Sequence, residues 1–294
     1  MSLIQDFCNQ YDFPKDATTF LECEYQKLLK SNESWDMFQK CIKLYEQNYD
    51  FAHERIFEQV EAISQKSFIH KYTLDLLYLI CLTPYLKELY ALKNIGLEVY
   101  HNSVYDLKWK AKECFEVYGV WGTFVGWWTI DFFKLKRFAL GRLQFNLNTF
   151  SRDFPEKSIK KGDTYIDVHI PSSGPLKREE YLESYKLATK FFKEYFRKKD
   201  IIFGCYSWLL SPDNRKILNP NSNILAFMND YEILYVEKDV NNTTFWRIFG
   251  TKEIPESFNS LPMNTTVRRN FANWLNKGNE FKIAFGILRF TSHN

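Results

Sequence analysis

GRLQFN (141–146), DTYIDVHIPSSGPL (163–176) and IIFGCYSWLL (201–210) frame the stretch that decides the fold. In Gly141–Asn148 the residues alternate: Leu143, Phe145 and Leu147 on one side, Arg142, Gln144, Asn146 and Asn148 on the other. That is a half-buried strand with a polar second face. Thr164–Pro171 alternates again, with Ile166, Val168 and Ile170 opposed to Tyr165, Asp167 and His169. If the two strands form a hairpin, Arg142 and Gln144 share a face with Asp167 and His169. Pro171–Leu176 is a loop by composition. Arg178–Phe196 carries Tyr181, Tyr185, Ala188, Phe192 and Tyr195 at helical spacing. Ile201–Leu210 is an apolar strand. The order is therefore strand, strand, loop, helix, strand, with the loop between His169 and Lys177 as the expected functional centre.

Outward from this stretch the period changes. Residues 1–137 read as helices, with stripes at Phe20, Tyr25, Leu28 and Leu29, at Trp35, Phe38, Cys41, Ile42 and Tyr45, and at Ile56, Val60 and Ile63. Thr73–Leu82 is apolar nearly all round, Asp75 excepted, which is the pattern of a helix buried among others. Pro84 is expected to interrupt it, and Ser103–Tyr118 is periodic again. Past the central stretch, Ser211-Pro-Asp opens a short helix or turn, and Ser222 suits a turn or helix cap. Tyr231–Glu237, Thr244–Phe249 and Phe281–Phe290 read as strands. Asn264–Lys277 reads as a helix capped by Asn264 and closed by Gly278. The expected class is α+β: an all-α region over 1–137, then a mixed α/β region over 138–294.

Composition narrows the function classes. The 294 residues are 45% hydrophobic and include 27 Phe, 18 Tyr and 8 Trp, ample for ring-on-ring cores. The net charge of +3, from 39 basic and 36 acidic residues, lacks the clustered excess of a nucleic-acid binder. The basic run Arg197–Lys199 fits a helix C-terminus. Six cysteines without CxxC spacing make neither a zinc site nor a disulfide framework, so no metal is expected. MSLIQDFCNQYDF lacks the pattern of a signal peptide, and the apolar run 76–82 is far short of a membrane span. The expectation is a cytoplasmic protein with a small-molecule substrate and no nucleic-acid or membrane partner. Oligomeric state is not specified.

The candidate chemistry lies in the central stretch. Ser172, Ser173 and Gly174 leave backbone accessible before a helix N-terminus, and Lys177 and Arg178 add charge, which suits a phosphate group; an ordinary helix start with Pro175 in its usual place is the alternative. Asp167 two residues from His169 suits an oriented acid/base imidazole, or a histidine satisfied at a sheet edge. His53, His70, His101 and His293 sit in surface-like or terminal contexts. Cys205 or Ser207 is a nucleophile candidate beside His169, or a buried small residue and a strand hydroxyl. Arg142, Gln144 and Trp208 are candidates to line a substrate.

GRLQF (141–145), GDxxxxVHIPxxGPL (162–176), CxSWLL (205–210), SNI (222–224), LPMNTTVRR (261–269) and GxLRF (286–290) together resemble a bacterial acyltransferase-like family. That family joins a helical N-terminal acyltransferase domain to a GNAT-like C-terminal domain, and the resemblance spans nearly the whole chain. It implies an acyl-CoA-dependent N-acyltransferase, with acetyl-CoA or another acyl-CoA as co-substrate. The donor would lie between splayed strands Tyr165–Pro171 and Phe203–Trp208, with Ile170, Ser172, Ser173, Gly174, Leu176 and Lys177 around its pyrophosphate. His169 would be the base, Asp167 its orienting partner, and Ser207 or Tyr206 the acid for the leaving thiolate. Two departures stand out: the GNAT glycine signature [QR]-x-x-G-x-[GA] is replaced by Ser172-Ser-Gly-Pro-Leu, and Tyr206 stands where histidine is expected. The alternative is a non-catalytic GNAT-like module for a small ligand or partner. A hydrolase using Cys205 or Ser207 is a third option.

Overall fold

The computed structural model describes residues 2–50, 53–197 and 201–290. It divides into two compact units, Met1–Ala139 and Leu140–Asn294, two residues beyond the boundary expected at 137/138. Lys198, Lys199 and His293 lie outside the described residues.

The first unit holds α1 (Leu3–Gln10), α2 (Lys15–Lys30), α3 (Asn32–Gln47), α4 (Glu54–Ser67), α5 (Lys71–Leu92), α6 (Leu97–Tyr118) and α7 (Gly126–Phe133). The stripes of α3 and α4 bury Phe38, Cys41, Tyr45, Ile56, Val60 and Ile63. In α2 the buried residues are Ala17, Leu21 and Leu28, while Phe20 is exposed, so the stripe is turned from the expected one. α5 is buried on all sides from Thr73 to Thr83 and runs straight through Pro84. Proline there removes the N–H that would bond the carbonyl of Ile80. The Thr83 hydroxyl donates to that carbonyl at 2.7 Å, so the ladder loses a rung without leaving a buried acceptor unmet. His53 is 2% exposed rather than at the surface. His70 accepts from the Tyr72 N–H at the start of α5, and His101 Nδ1 lies 2.7 Å from the Tyr11 hydroxyl.

The second unit is built on β1 (Arg137–Leu140, crossing the division), β2 (Leu143–Thr149), β3 (Thr164–His169), α8 (Arg178–Phe196), β4 (Phe203–Ser207), α9 (Asn214–Ile217), α10 (Asn223–Asn229), β5 (Glu232–Lys238), α11 (Thr243–Phe249), α12 (Thr266–Asn276) and β6 (Lys282–Leu288). The sheet order is β1-β2-β3-β4-β6-β5. β3 and β4 run parallel; β2 against β3, and β6 against both β4 and β5, are antiparallel. One face carries the inward residues that alternation marks, Phe145 and Phe203, against Tyr185 of α8 at 6.2 and 4.9 Å between ring centroids. Each such ring removed from water contributes about 2–3 kcal/mol. The other face holds Phe150, Phe154, Ile159, Tyr165, Phe285 and Ile287 at one end.

Three assignments change. Thr244–Phe249, expected as a strand, is helical, because both Asp239 carboxylate oxygens accept N–H donors from its first turn, Thr243 at 3.0 Å and Thr244 at 2.6 Å. Its buried residues Thr244, Phe245, Ile248 and Phe249 follow the 3–4 spacing of a helix. α12 is capped by the Thr265 hydroxyl rather than by Asn264, while Gly278 takes φ +78 just past its end. Ile201–Leu210 is strand only to Ser207; Trp208–Leu210 is a 3₁₀ turn.

Gly204 is required where it stands. A Cβ there would meet the Tyr165 ring at 2.5 Å and Phe285 at 3.1 Å. Gly204→Ala is expected to cost about 1–3 kcal/mol, read as a lower midpoint in urea, because neither packed ring can step aside without strain. An unchanged midpoint would contradict this packing.

Candidate active site

The register of the sheet assembles a polar surface. Gln144 faces His169 and Asn146 faces Asp167 across β2 and β3, so the hairpin places these four side chains on one face. His169 Nε2 lies 2.6 Å from Asn146 Oδ1. An amide oxygen only accepts, so Nε2 carries the proton and Nδ1 is the basic nitrogen. Asp167 Oδ2 stands 3.7 Å from the same Nε2, beyond hydrogen-bond range, and accepts from Asn148 Nδ2 at 3.2 Å. Asn146 therefore orients the imidazole directly, and Asp167 adds nearby negative charge. Gln144, opposite His169 in the register, is 2% exposed rather than offered to solvent.

Next to this surface the sheet opens. Among the described residues β3 and β4 pair at Ile166↔Phe203 and Asp167↔Gly204 and then part. β3 stays with β2 as far as Gln144↔His169, and β4 stays with β6 as far as Ser207↔Ala284. His169 and Tyr206, each two residues beyond the last shared pair, stand on opposite arms of the gap. The Tyr206 hydroxyl donates to Glu237 at 2.5 Å. Burial and that carboxylate push its pKa up, so the phenol keeps its proton at neutral pH.

Ser207 and Trp208 are placed elsewhere. Ser207 sits on the Cys205 side of β4, and its hydroxyl accepts from the Leu209 N–H. Trp208 packs edge-on against Phe271 at 5.5 Å. Cys205 is fully buried and its thiol is pushed well above the ordinary range by desolvation, which leaves it inert as a nucleophile.

The loop ahead of α8 is exposed at Ser172 and Gly174, with Leu176 buried beneath and Ile170 and Ser173 half-buried. Gly174 takes φ +117, a conformation glycine alone adopts readily. The two cations beyond it are already engaged. Lys177 pairs with Glu180 at 3.1 Å, and Arg178 holds both oxygens of Asp230 at 2.8 and 2.6 Å. The Arg142 side chain turns to the loop: Nη1 donates to the carbonyl of Pro171 at 3.0 Å, Nη2 to Gly174 at 2.6 Å and Nε to Pro175 at 3.2 Å.

Residues 137–288 match the family described as the GNAT-like C-terminal domain, and residues 2–135 match the N-acyltransferase N-terminal domain. The chain belongs to the GNAT-like C-terminal domain family. No curated protein matches it. Among solved structures it shares its fold with an acyltransferase mutant bound to octanoyl-CoA, at TM-score 0.76 and 18% identity over 97% of this chain and 87% of that one. An acyltransferase bound to decanoyl-CoA and teicoplanin has TM-score 0.74, 18% identity and the same coverage.

Within the GNAT-like domain, three partners escaped the sequence reading. Asn146 belongs to an alternating polar row, and nothing in the row singles it out. Glu237, at the end of β5, meets Tyr206 only through the sheet order. Ser184, fully buried on α8, accepts from the N–H groups of Arg142 and Leu143 at 2.7 and 3.3 Å. Its only signal was a hydroxyl inside an otherwise apolar stripe. No metal-binding cluster occurs among the described residues, and no helix there is long and apolar enough to cross a membrane.

Proposed function

We propose that the GNAT-like domain transfers an acyl group from acyl-CoA to an amine. The observation that carries this reading is the parting of β3 and β4 after Asp167 and Gly204, directly beside the Asn146–His169 pair. The solved structures of the same fold with octanoyl-CoA and decanoyl-CoA support the donor class, and the one with teicoplanin supports a small-molecule acceptor. In the reaction the neutral amine attacks the thioester carbon, the C–N bond forms and the C–S bond breaks. His169 Nδ1 takes the proton that the amine loses, directly or through one water. Backbone N–H groups of β4 beyond Gly204 hold the carbonyl oxygen as its charge grows. Tyr206 gives its proton to the departing thiolate.

A second reading, a binding module without catalysis, is favoured by one feature of the loop. Pro175 has no N–H, and Lys177 and Arg178 are spent on Glu180 and Asp230. Calorimetry with CoA and acetyl-CoA separates the readings. Micromolar binding, about −8 kcal/mol, that Gly174→Trp abolishes is the expected result, since a bulky L side chain is strained at this φ. Absence of binding for both ligands would sink the donor assignment and leave the module.

A further inference from the structure

The guanidinium of Arg142 meets three carbonyls of one five-residue loop, Pro171, Gly174 and Pro175. Its own backbone is fixed at the other end. Gly141, at φ +70, lets the chain turn tightly against α8, where a Cβ would lie 2.8 Å from Ser184 Oγ. Ser184 then receives the N–H groups of both Arg142 and Leu143. One side chain thus ties together the start of β2, the loop after β3 and, through Ser184, the helix that follows the loop.

Peptide geometry gives this tie a direction. The described peptide bonds are trans, so each carbonyl points away from the N–H of the next residue. Drawing the carbonyls of Pro171 and Pro175 onto the guanidinium turns the N–H groups of Ser172 and Leu176 to the opposite side of the loop. Charge follows the same direction. Lys177 and Arg178 pair directly with carboxylates; Arg142 makes no ion pair at that distance among the described residues, and the Glu180 carboxylate acts on it from further off. Its positive charge stands behind the loop and is partly desolvated, which strengthens its field on the far side.

We propose that Arg142 is a positioning residue that holds loop 171–175 ready for the phosphates of the acyl donor without touching them. The proposal rests on the acyl-CoA reading above. A planar fork reaches three carbonyls at once, which the single ammonium of lysine does not.

The experiment compares binding of CoA and of pantetheine, which lacks every phosphate, by NMR titration. The proteins are the wild type, Arg142→Gln, Arg142→Lys and Ser184→Ala. Arg142→Gln is expected to weaken CoA roughly 30-fold, the scale of lost charge-assisted hydrogen bonds, and pantetheine by less than about threefold. Arg142→Lys falls between, and Ser184→Ala shifts CoA in the same direction by less. Equal loss of both ligands, or an unchanged CoA affinity in Arg142→Gln, overturns the proposal. Should Arg142→Gln not fold, an unchanged CoA affinity in Arg142→Lys overturns it as well. A wild type that binds pantetheine but not CoA removes the donor reading and this inference together, whereas wild-type CoA binding with indifferent variants removes the inference alone.

Discussion

His169→Ala is expected to lower kcat/KM by roughly 10²–10⁴-fold, the range for a lost general base, while CoA affinity stays within about twofold. The separation follows from position. His169 lies on the β3 arm of the gap, on the face shared with Gln144, Asn146 and Asp167. Loop 171–175 begins two residues further on. Thiol release from acetyl-CoA, followed with an amine panel, reads the first quantity, and calorimetry reads the second. Asn146→Ala should give a smaller loss, because the imidazole stays on the same face of β3 but loses the acceptor that orients it at 2.6 Å. Activity of His169→Ala within threefold of wild type would remove the histidine from the mechanism.

Asp75→Asn is expected to stabilise the fold, and to do so only at higher pH. Asp75 is 3% exposed in α5, and burial raises its pKa from 3.8 to about 7 against the weaker pull of Lys71, whose ammonium is 3.9 Å away. Glu61 adds a further upward push. Between about pH 4 and pH 7 the folded chain keeps a proton that the unfolded chain has released, so stability falls across that window and levels off above it. A shift of this size corresponds to an upper bound of about 4 kcal/mol. An amide carries no such charge but brings its own buried polar atoms, at a cost of about 1–3 kcal/mol. The variant should therefore be more stable than wild type by about 1–3 kcal/mol at pH 8 and no more stable at pH 5. Denaturant midpoints at the two pH values decide it. A loss of stability that is the same at both would show that the folded carboxylate is already charged at pH 5, as it is in the unfolded chain, so that burial does not raise its pKa.

Much of the fold was legible because two periods were clean. The stripe from Tyr181 to Phe192 gives α8 its bounds, and the alternation in 143–148 and 164–169 gives both hairpin strands and their faces. β1 was missed because Arg137–Leu140 is four residues long and buried throughout, so it has no alternation to display. Thr244–Phe249 satisfies both periods, and the cap that decides it, Asp239, lies outside the segment. Pro84 is a breaker by rule, and the side-chain hydroxyl of Thr83 overrides the rule. In the site, alternation put Asp167 and His169 on a common face. It put Arg142 on that face too, as a substrate-lining candidate, whereas Arg142 stands one residue before its strand and reaches carbonyls 29 to 33 positions away. Long-range donors of this kind leave no local pattern.

The two rungs at Ile166↔Phe203 and Asp167↔Gly204 also act as a fulcrum. On either side of them the strands are bound into stiff ladders, six residue pairs between β2 and β3 and five between β4 and β6. Any rotation between the halves would concentrate at this short seam, where the Tyr165 ring packs over Gly204. Strands rise about 3.3 Å per residue, so His169 and Tyr206 sit at the tips of levers about 7 Å long, and 10° of opening moves them apart by about 1 Å. A displacement of that size is enough to misalign a reacting pair. If the gap holds the acyl donor as proposed, residues 165 and 204 would act as a gauge on its width from the closed end.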